Sequence, residues 1–143
     1  ALMPGGRLPR AETELVILRV AHNCGSDYEW GHHERLGLTA GLSAEEIERV
    51  REGPGAAGWA ERQQLLLRTA DELHAERTLS DSLWSELRPL YSDAELIELF
   101  MLVGHYEMVA MTLNALRVQP DPVPAGPRPL LARLAERRLR RRS

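Results

Sequence analysis

The sequence predicts an all-α protein. Apolar residues recur mostly at three- and four-residue spacing, which is the period of a helix face. Alternating β-branched runs, the usual sign of strands, are missing, and aromatic residues make up only 5% of the chain. The 143 residues suit one domain, and the single cysteine excludes a disulfide scaffold.

The first helix is predicted from Glu12 to about Cys24. Leu15 and Leu18 share one of its faces, and Gly25 follows as a helix stop. Three later helices are predicted to begin at a capping box, in which a serine and a glutamate three residues later satisfy free backbone N–H groups. The three pairs are Ser26/Glu29, Ser43/Glu46 and Ser92/Glu95. With glycine and proline as breaks, the helices after the first are predicted at 27–38, 44–52, 61–77, 82–90 and 93–117.

The helix predicted at 93–117 is apolar nearly all round. We therefore expect it to be the buried central helix, or a helix shared with another subunit. Glu98, His105 and Glu107 interrupt its apolar run, so we predict no membrane span and a soluble protein. With a lone thiol and no leader peptide pattern, a reducing, cytoplasmic location is expected.

Charge divides the chain into an acidic body and a basic tail. Residues 1–127 hold 11 arginines and 20 acidic residues, a net charge of -9, whereas residues 128–143 hold 7 arginines and one glutamate, a net charge of +6. Five prolines in ten residues after Gln119 predict a linker. The predicted organisation is an extension (1–11), a helical domain (12–118), a Pro-rich linker (119–129) and an Arg-rich tail (130–143).

The tail has two interpretations. It is a solvated segment, or its leucines form a short amphipathic helix against another subunit, an acidic partner or an anionic surface. Nucleic-acid binding would depend on this tail alone, and the acidic body opposes phosphate, so no nucleic-acid partner is expected.

Titratable side chains are densest between Cys24 and Glu34. On a helix that begins near Asp27, Glu29 and His33 lie at positions i and i+4, where a carboxylate can orient an imidazole for acid/base chemistry. Glu14, on the preceding helix, is a second carboxylate within reach. The alternative is that Glu29 only completes the capping box.

This segment resembles the signature of the carboxymuconolactone decarboxylase family, which includes the alkylhydroperoxidase D-like (AhpD-like) proteins. The matching runs are Glu14 to Ala21 (ELVILRVA) and Gly25 to His33 (GSDYEWGHH). In the peroxidase branch the signature is Glu, eleven residues, Cys-x-x-Cys-x-x-x-His, and this chain has Ser26 and Glu29 in the two cysteine positions. Cys24 lies two positions earlier without a partner, so dithiol peroxidase chemistry is not expected.

The decarboxylase branch is the better match. It reads Tyr-Glu-Trp followed by a histidine, as Tyr28-Glu29-Trp30 and His33 do here, and the segments 61–74 and 95–114 are also similar. The resemblance covers about residues 12–118. The chain departs from the family pattern at its start, since family members usually carry further helical sequence before the Glu14 helix.

The resemblance implies an AhpD-like helical bundle that associates as a trimer or hexamer, with a pocket near a subunit interface. The implied activity is a decarboxylation, or a related proton transfer, on a small carboxylated lactone or cyclic ketone, without metal or organic cofactor. His33 is the expected proton donor or shuttle, and Glu29 and Glu14 are the carboxylates that orient it. The expected substrate contacts are Ser26, Tyr28, His32, His105 and Tyr106.

Several alternatives stay open. His105 and Tyr106 are also consistent with hydrogen-bonded core or interface groups, and His22 and His74 are interpreted as structural. A di-iron site is not expected, because Glu29-x-x-His32 is the only Glu-x-x-His in the chain and such a site needs two. The rival function is a catalytically silent family member that serves as an oligomeric assembly or ligand-binding module.

Overall fold

A computed structural model describes residues 6–122 of the chain, and these fold into six α-helices without a strand. The helices are α1 (Arg10–Asn23), α2 (Asp27–Ala40), α3 (Ala44–Glu52), α4 (Glu61–Glu76), α5 (Asp81–Leu87) and α6 (Asp93–Ala115). The all-α prediction is confirmed. The predicted Arg-rich tail and most of the predicted linker lie outside the described residues.

The predicted helix boundaries hold to within three residues. The largest difference is in α5, which ends at Leu87 rather than at residue 90, because Pro89 has no N–H with which to continue a helix. At the other end of the chain, α1 begins at Arg10, two residues earlier than predicted. Leu8 is only 6% exposed and belongs to the core. This part of the predicted N-terminal extension therefore packs as part of the helical domain.

The central helix is α1. It packs against α2, α3, α4 and α6, and half of its residues are buried. Two ion pairs join it to α4: Arg19 donates to both carboxylate oxygens of Asp71 at 2.7 and 3.0 Å, and Arg62 donates to Glu12 at 2.8 and 3.1 Å. The polar positions of segment 61–74 therefore help to fix α4 against α1.

Of the two expectations for the helix at 93–117, that it is the buried central helix is wrong, and that it is shared with another subunit stays a prediction. In α6, one face is buried against α1 and α4, but the other is open. The open face carries Ile97, Met101, Met108 and Met111, each more than half exposed. Its apolar character therefore reflects two different surfaces, a core face and an uncovered one.

By length and composition alone, α6 is apolar enough to cross a membrane. Core helices of globular domains meet the same criterion, and α6 contacts α1 and α4. Its buried Glu98 accepts hydrogen bonds from the backbone N–H groups of Arg7 and Leu8 at 2.8 and 3.3 Å. These contacts are those of a helix that belongs to the domain core.

The three predicted capping boxes are not equivalent. Both reciprocal bonds form at Ser43/Glu46 and at Ser92/Glu95. At Ser26 the hydroxyl accepts from the Glu29 N–H at 3.4 Å, but the N–H of Ser26 already donates to the carbonyl of Ala21 at 2.9 Å. The Glu29 carboxyl therefore has no role in the cap.

Candidate active site

The centre of the candidate site is a hydrogen bond between a histidine of α2 and a glutamate of α1. His33 Nδ1 lies 2.7 Å from Glu14 Oε2, and both side chains are buried. Because a carboxylate only accepts hydrogen bonds, His33 carries its ring proton on Nδ1 and donates it to Glu14. The other ring nitrogen, Nε2, is then the atom that can accept or deliver a proton.

Arg10, one turn before Glu14 on α1, contacts the second oxygen of the same carboxylate. Its Nη2 lies 2.5 Å from Glu14 Oε1, although the angles are not those of a hydrogen bond. The Glu14 side chain is completely buried, whereas that of Arg10 is about half exposed. A charge-charge contact from the protein surface thus compensates a carboxylate in the interior.

Glu29 is the second carboxyl of the site. It is 3% exposed, and its Oε2 has no hydrogen-bond partner among residues 6–122. Burial raises the pKa of the Glu29 carboxyl from 4.5 to about 7, because the charged form is poorly solvated there. Near neutral pH, Glu29 is therefore divided between a protonated form that can donate and an ionised form that can accept.

Tyr106 of α6 borders this site, and His105 is its neighbour along the helix. The ring of Tyr106 lies edge-on to the His33 ring, with 5.1 Å between the centroids. Burial, with the charges of Glu14 and Glu29, raises the pKa of the Tyr106 hydroxyl, so this group stays a neutral donor. His105 is partly exposed and makes no side-chain hydrogen bond within the described part of the chain, which differs from the hydrogen-bonded core histidine considered above.

A cavity of about 270 Å³ opens beside the N-terminal half of α2. Tyr28, His32, Glu34 and Arg35 of α2 line it, together with Asp121 of the segment after α6. The Tyr28 hydroxyl donates to Asp121 at 3.5 Å. Burial, together with the positive charges of His33 and Arg35, lowers the pKa of His32.

The predicted site residues thus fall into two groups. Glu14, Glu29 and His33 are buried, and the half-buried Tyr106 contacts His33, whereas Tyr28 and His32 line the cavity on the surface. The carboxylate that orients His33 is Glu14, since Glu29 makes no hydrogen bond to the imidazole. The Ser26 hydroxyl is buried and caps α2.

A second cluster of titratable side chains was not predicted from the sequence. Cys24, at the end of α1, meets His74 of α4 and Glu107 of α6: His74 Nδ1 lies 4.0 Å from Cys24 Sγ and 2.6 Å from Glu107 Oε1. Arg77 pairs with the other oxygen of Glu107. The chain positions share no local spacing, so no sequence pattern could indicate this contact.

The thiol of this cluster is poorly suited to attack a peroxide. Burial, with the charges of Glu107 and Glu29, raises the pKa of Cys24 to about 11. Because the thiolate is the nucleophile, a thiol that stays protonated at neutral pH is a weak one. Within the described residues Cys24 also has no second cysteine to form a disulfide with.

Comparison with known proteins identifies the fold and the family of the chain. One similar solved structure is a protein of unknown function from Agrobacterium tumefaciens, described as a candidate antioxidant defence protein AhpD. It superposes with a TM-score of 0.77 at 21% sequence identity, and the match covers 82% of each chain. This likeness shows an AhpD-like fold.

No functionally curated protein is similar to the chain in sequence. The family model for carboxymuconolactone decarboxylases matches residues 1–72, half of the sequence. The chain therefore belongs to the carboxymuconolactone decarboxylase family.

Proposed function

We propose that the protein is a cofactor-independent acid/base enzyme of the decarboxylase type, acting on a small carboxylated lactone or cyclic ketone. One observation carries the proposal: α2 holds both His33 of the buried Glu14–His33 pair and a buried carboxyl, Glu29, with a pKa of about 7. Oε2 of Glu29 has no hydrogen-bond partner in the described part of the chain. Titratable groups with strongly shifted pKa values in the protein interior are more typical of catalytic sites than of structural ones.

Decarboxylation of such a substrate leaves the electron pair of the broken C–C bond on carbon, delocalised as a dienolate. The reaction then needs one proton at that carbon. His33 can deliver it from Nε2, because Glu14 holds the ring through Nδ1 and stabilises the imidazolium. Glu29 is a second source of the proton, since near neutral pH part of the population carries it.

The surface cavity offers one cation beside two carboxylates, Glu34 and Asp121. Arg35 supplies a permanent cation there, and the Tyr28 hydroxyl and the His32 ring supply further polar contacts. A guanidinium and a carboxylate form two parallel hydrogen bonds when they meet in a plane. We propose that Arg35, with His32 beside it, binds the substrate carboxylate in this cavity.

The proposal is tested with a panel of carboxylated lactones and β-keto acids, by following CO2 release and deuterium incorporation from D2O. The variants are His33→Asn, Glu14→Gln and Glu29→Gln, with the exposed Glu52→Gln as the control. Loss of a positioned proton donor should lower turnover by about 10² or more. Unchanged turnover in the His33 and Glu29 variants would contradict the assignment.

The alternative, a silent member that serves as an assembly module, is favoured by the open face of α6. Met101, Met108 and Met111 recur at spacings of seven and three residues along it, as in the contact face of paired helices. Gly104 lies between them with open space above its Cα, so a neighbouring helix can approach closely. We propose that this face joins copies of the chain as a trimer or hexamer.

The assembly is tested by light scattering on the Met101→Glu/Met108→Glu double variant. A charge on each residue should dissociate the oligomer, because a buried unpaired carboxylate strongly opposes association. The control is Leu38→Glu, an equally exposed apolar residue on α2. If the α6 variant keeps the mass of the natural chain, this face is not the interface. An intact oligomer without turnover on any substrate would favour the silent module.

A further inference from the structure

The cluster of Cys24, His74 and Glu107 lies outside the proposed acid/base site. Its members come from three different elements: the C-terminal cap of α1, the last turn of α4 and the middle of α6. One potential ligand atom from each side chain, a sulfur, a nitrogen and an oxygen, lies within 4.8 Å of the other two. We propose that these three side chains bind a divalent cation of the Zn²⁺ type.

The geometry distinguishes this cluster from a catalytic triad. In a triad the imidazole contacts the nucleophile with one ring nitrogen and the carboxylate with the other. Here Cys24 Sγ and Glu107 Oε1 both face Nδ1 of His74, at 4.0 and 2.6 Å. Three potential ligand atoms within 4.8 Å of one another, two of them beside the same ring nitrogen, suit a chelate better than a triad.

The distances require only small movements for an ion to enter. Tetrahedral Zn²⁺ has Zn–N and Zn–O distances of about 2.0–2.1 Å, which places a nitrogen and an oxygen ligand about 3.3 Å apart. His74 Nδ1 and Glu107 Oε1 must therefore separate from 2.6 Å by roughly 0.7 Å. The His74 side chain is 38% exposed, so it has room to rotate. That exposure also leaves the fourth position open to water or to another ligand.

Charge and ligand type favour Zn²⁺. Cys24 as a thiolate and Glu107 as a carboxylate neutralise a double positive charge, because the ion displaces the thiol proton when it binds. Arg77 holds Oε2 of Glu107, which leaves Oε1 for the ion and fixes the orientation of the carboxylate as outer partners of metal ligands do. A sulfur, imidazole and carboxylate set suits Zn²⁺ better than Mg²⁺ or Ca²⁺, which prefer oxygen ligands.

The test uses the full chain with Co²⁺ as a spectroscopic probe and Zn²⁺ in calorimetry. We expect one Co²⁺ per chain, with a sulfur-to-cobalt charge-transfer band in the near ultraviolet. Cys24→Ser should abolish the band, and His74→Gln should weaken Zn²⁺ binding by about tenfold or more. His22→Gln, a histidine change two residues from Cys24, is the matched control and should leave binding unchanged.

A thermal measurement gives a second, independent readout. Zn²⁺ at 100 times its Kd should raise the Tm of the natural chain by about 5–10 °C, since binding only to the folded state stabilises it. The same addition should leave the Cys24→Ser variant close to its own Tm. The proposal fails if Co²⁺ binds without the charge-transfer band or if no cation binds. It also fails if both ligand variants bind Zn²⁺ with the affinity of the natural chain. The latter result would indicate adventitious binding to surface histidines.

Discussion

Replacing Glu29 with glutamine should remove a pH-dependent loss of stability. The pKa of this carboxyl is 4.5 in a solvated chain and about 7 in the folded protein, a difference of about 2.5 units. At about 1.36 kcal/mol per unit, the folded state holds the Glu29 proton more tightly than the unfolded chain by about 3 kcal/mol. Burial without a partner for Oε2 is the physical cause.

The direction of this pH dependence follows from the linkage between proton binding and folding. A group whose folded pKa is raised contributes its full stability below the unfolded pKa, near pH 4.5, and loses it as pH rises through the folded pKa, near 7. The natural chain should therefore lose about 3 kcal/mol, relative to Glu29→Gln, between pH 4.5 and pH 8. The glutamine amide has a burial cost of its own, but that cost does not change with pH.

The assay is urea unfolding at several values between pH 4.5 and pH 8, followed by circular dichroism, for the natural chain, Glu29→Gln and Glu52→Gln. Glu52 is exposed and makes no ion pair within residues 6–122, so its variant should follow the natural chain. Only the difference between the Glu29→Gln and natural curves should widen with pH. Two parallel curves would refute the argument that Glu29 is buried without compensation.

Further predictions concern activity and the packing of the helices. If turnover needs the protonated form of Glu29, kcat should fall as pH rises above about 7, and a rate that stays level to pH 9 would contradict that requirement. Ser92→Ala removes the full capping box of α6 and should lower the free energy of unfolding by about 1 kcal/mol in urea titrations. Leu66→Ala empties a fully buried position and should cost about 2–5 kcal/mol in the same assay. Asp71→Ala removes the partner of the nearly buried Arg19 and should cost roughly 2 kcal/mol, against little change for Asp93→Ala at a largely exposed pair.

Much of the fold could be predicted from local patterns. Helix boundaries depend on caps, glycine and proline within a few residues, and these act before any tertiary contact forms. The central helix could not be predicted in this way. The sequence shows that α6 is apolar nearly all round, but which side meets α1, and that Met101 and Met108 lie on the open side, depends on contacts far apart in the chain.

The candidate site, like the fold, could be predicted from the sequence only where the residues are close together along the chain. Glu29 and His33 are four residues apart on one helix, so their proximity follows from helix geometry, and Glu14 was expected within reach because it lies on the preceding helix. The contact between Cys24, His74 and Glu107 joins positions separated by 50 and 33 residues. This contact exists because α4 and α6 both pack against α1. The spacing of the three residues along the chain does not indicate it.

The state of Glu29 results from a competition for one backbone N–H. A glutamate three residues after an N-cap serine ordinarily accepts the N–H of that serine, as Glu46 and Glu95 do. The turn between α1 and α2 instead directs the Ser26 N–H to the carbonyl of Ala21. The Glu29 carboxyl is thereby buried without that donor, and its proton is retained to about pH 7.

The same two positions explain how one scaffold can support different chemistry. The peroxidase signature has its two cysteines where this chain has Ser26 and Glu29, while Glu14 and His33 occupy the glutamate and histidine of that signature. Two thiols in these positions can cycle between dithiol and disulfide beside the Glu14–His33 pair. A hydroxyl that caps α2 and a carboxyl with a raised pKa cannot transfer electrons, but the carboxyl can transfer a proton. Replacing the two sulfurs with these groups therefore favours proton transfer on the same pair, in agreement with the proposed acid/base function.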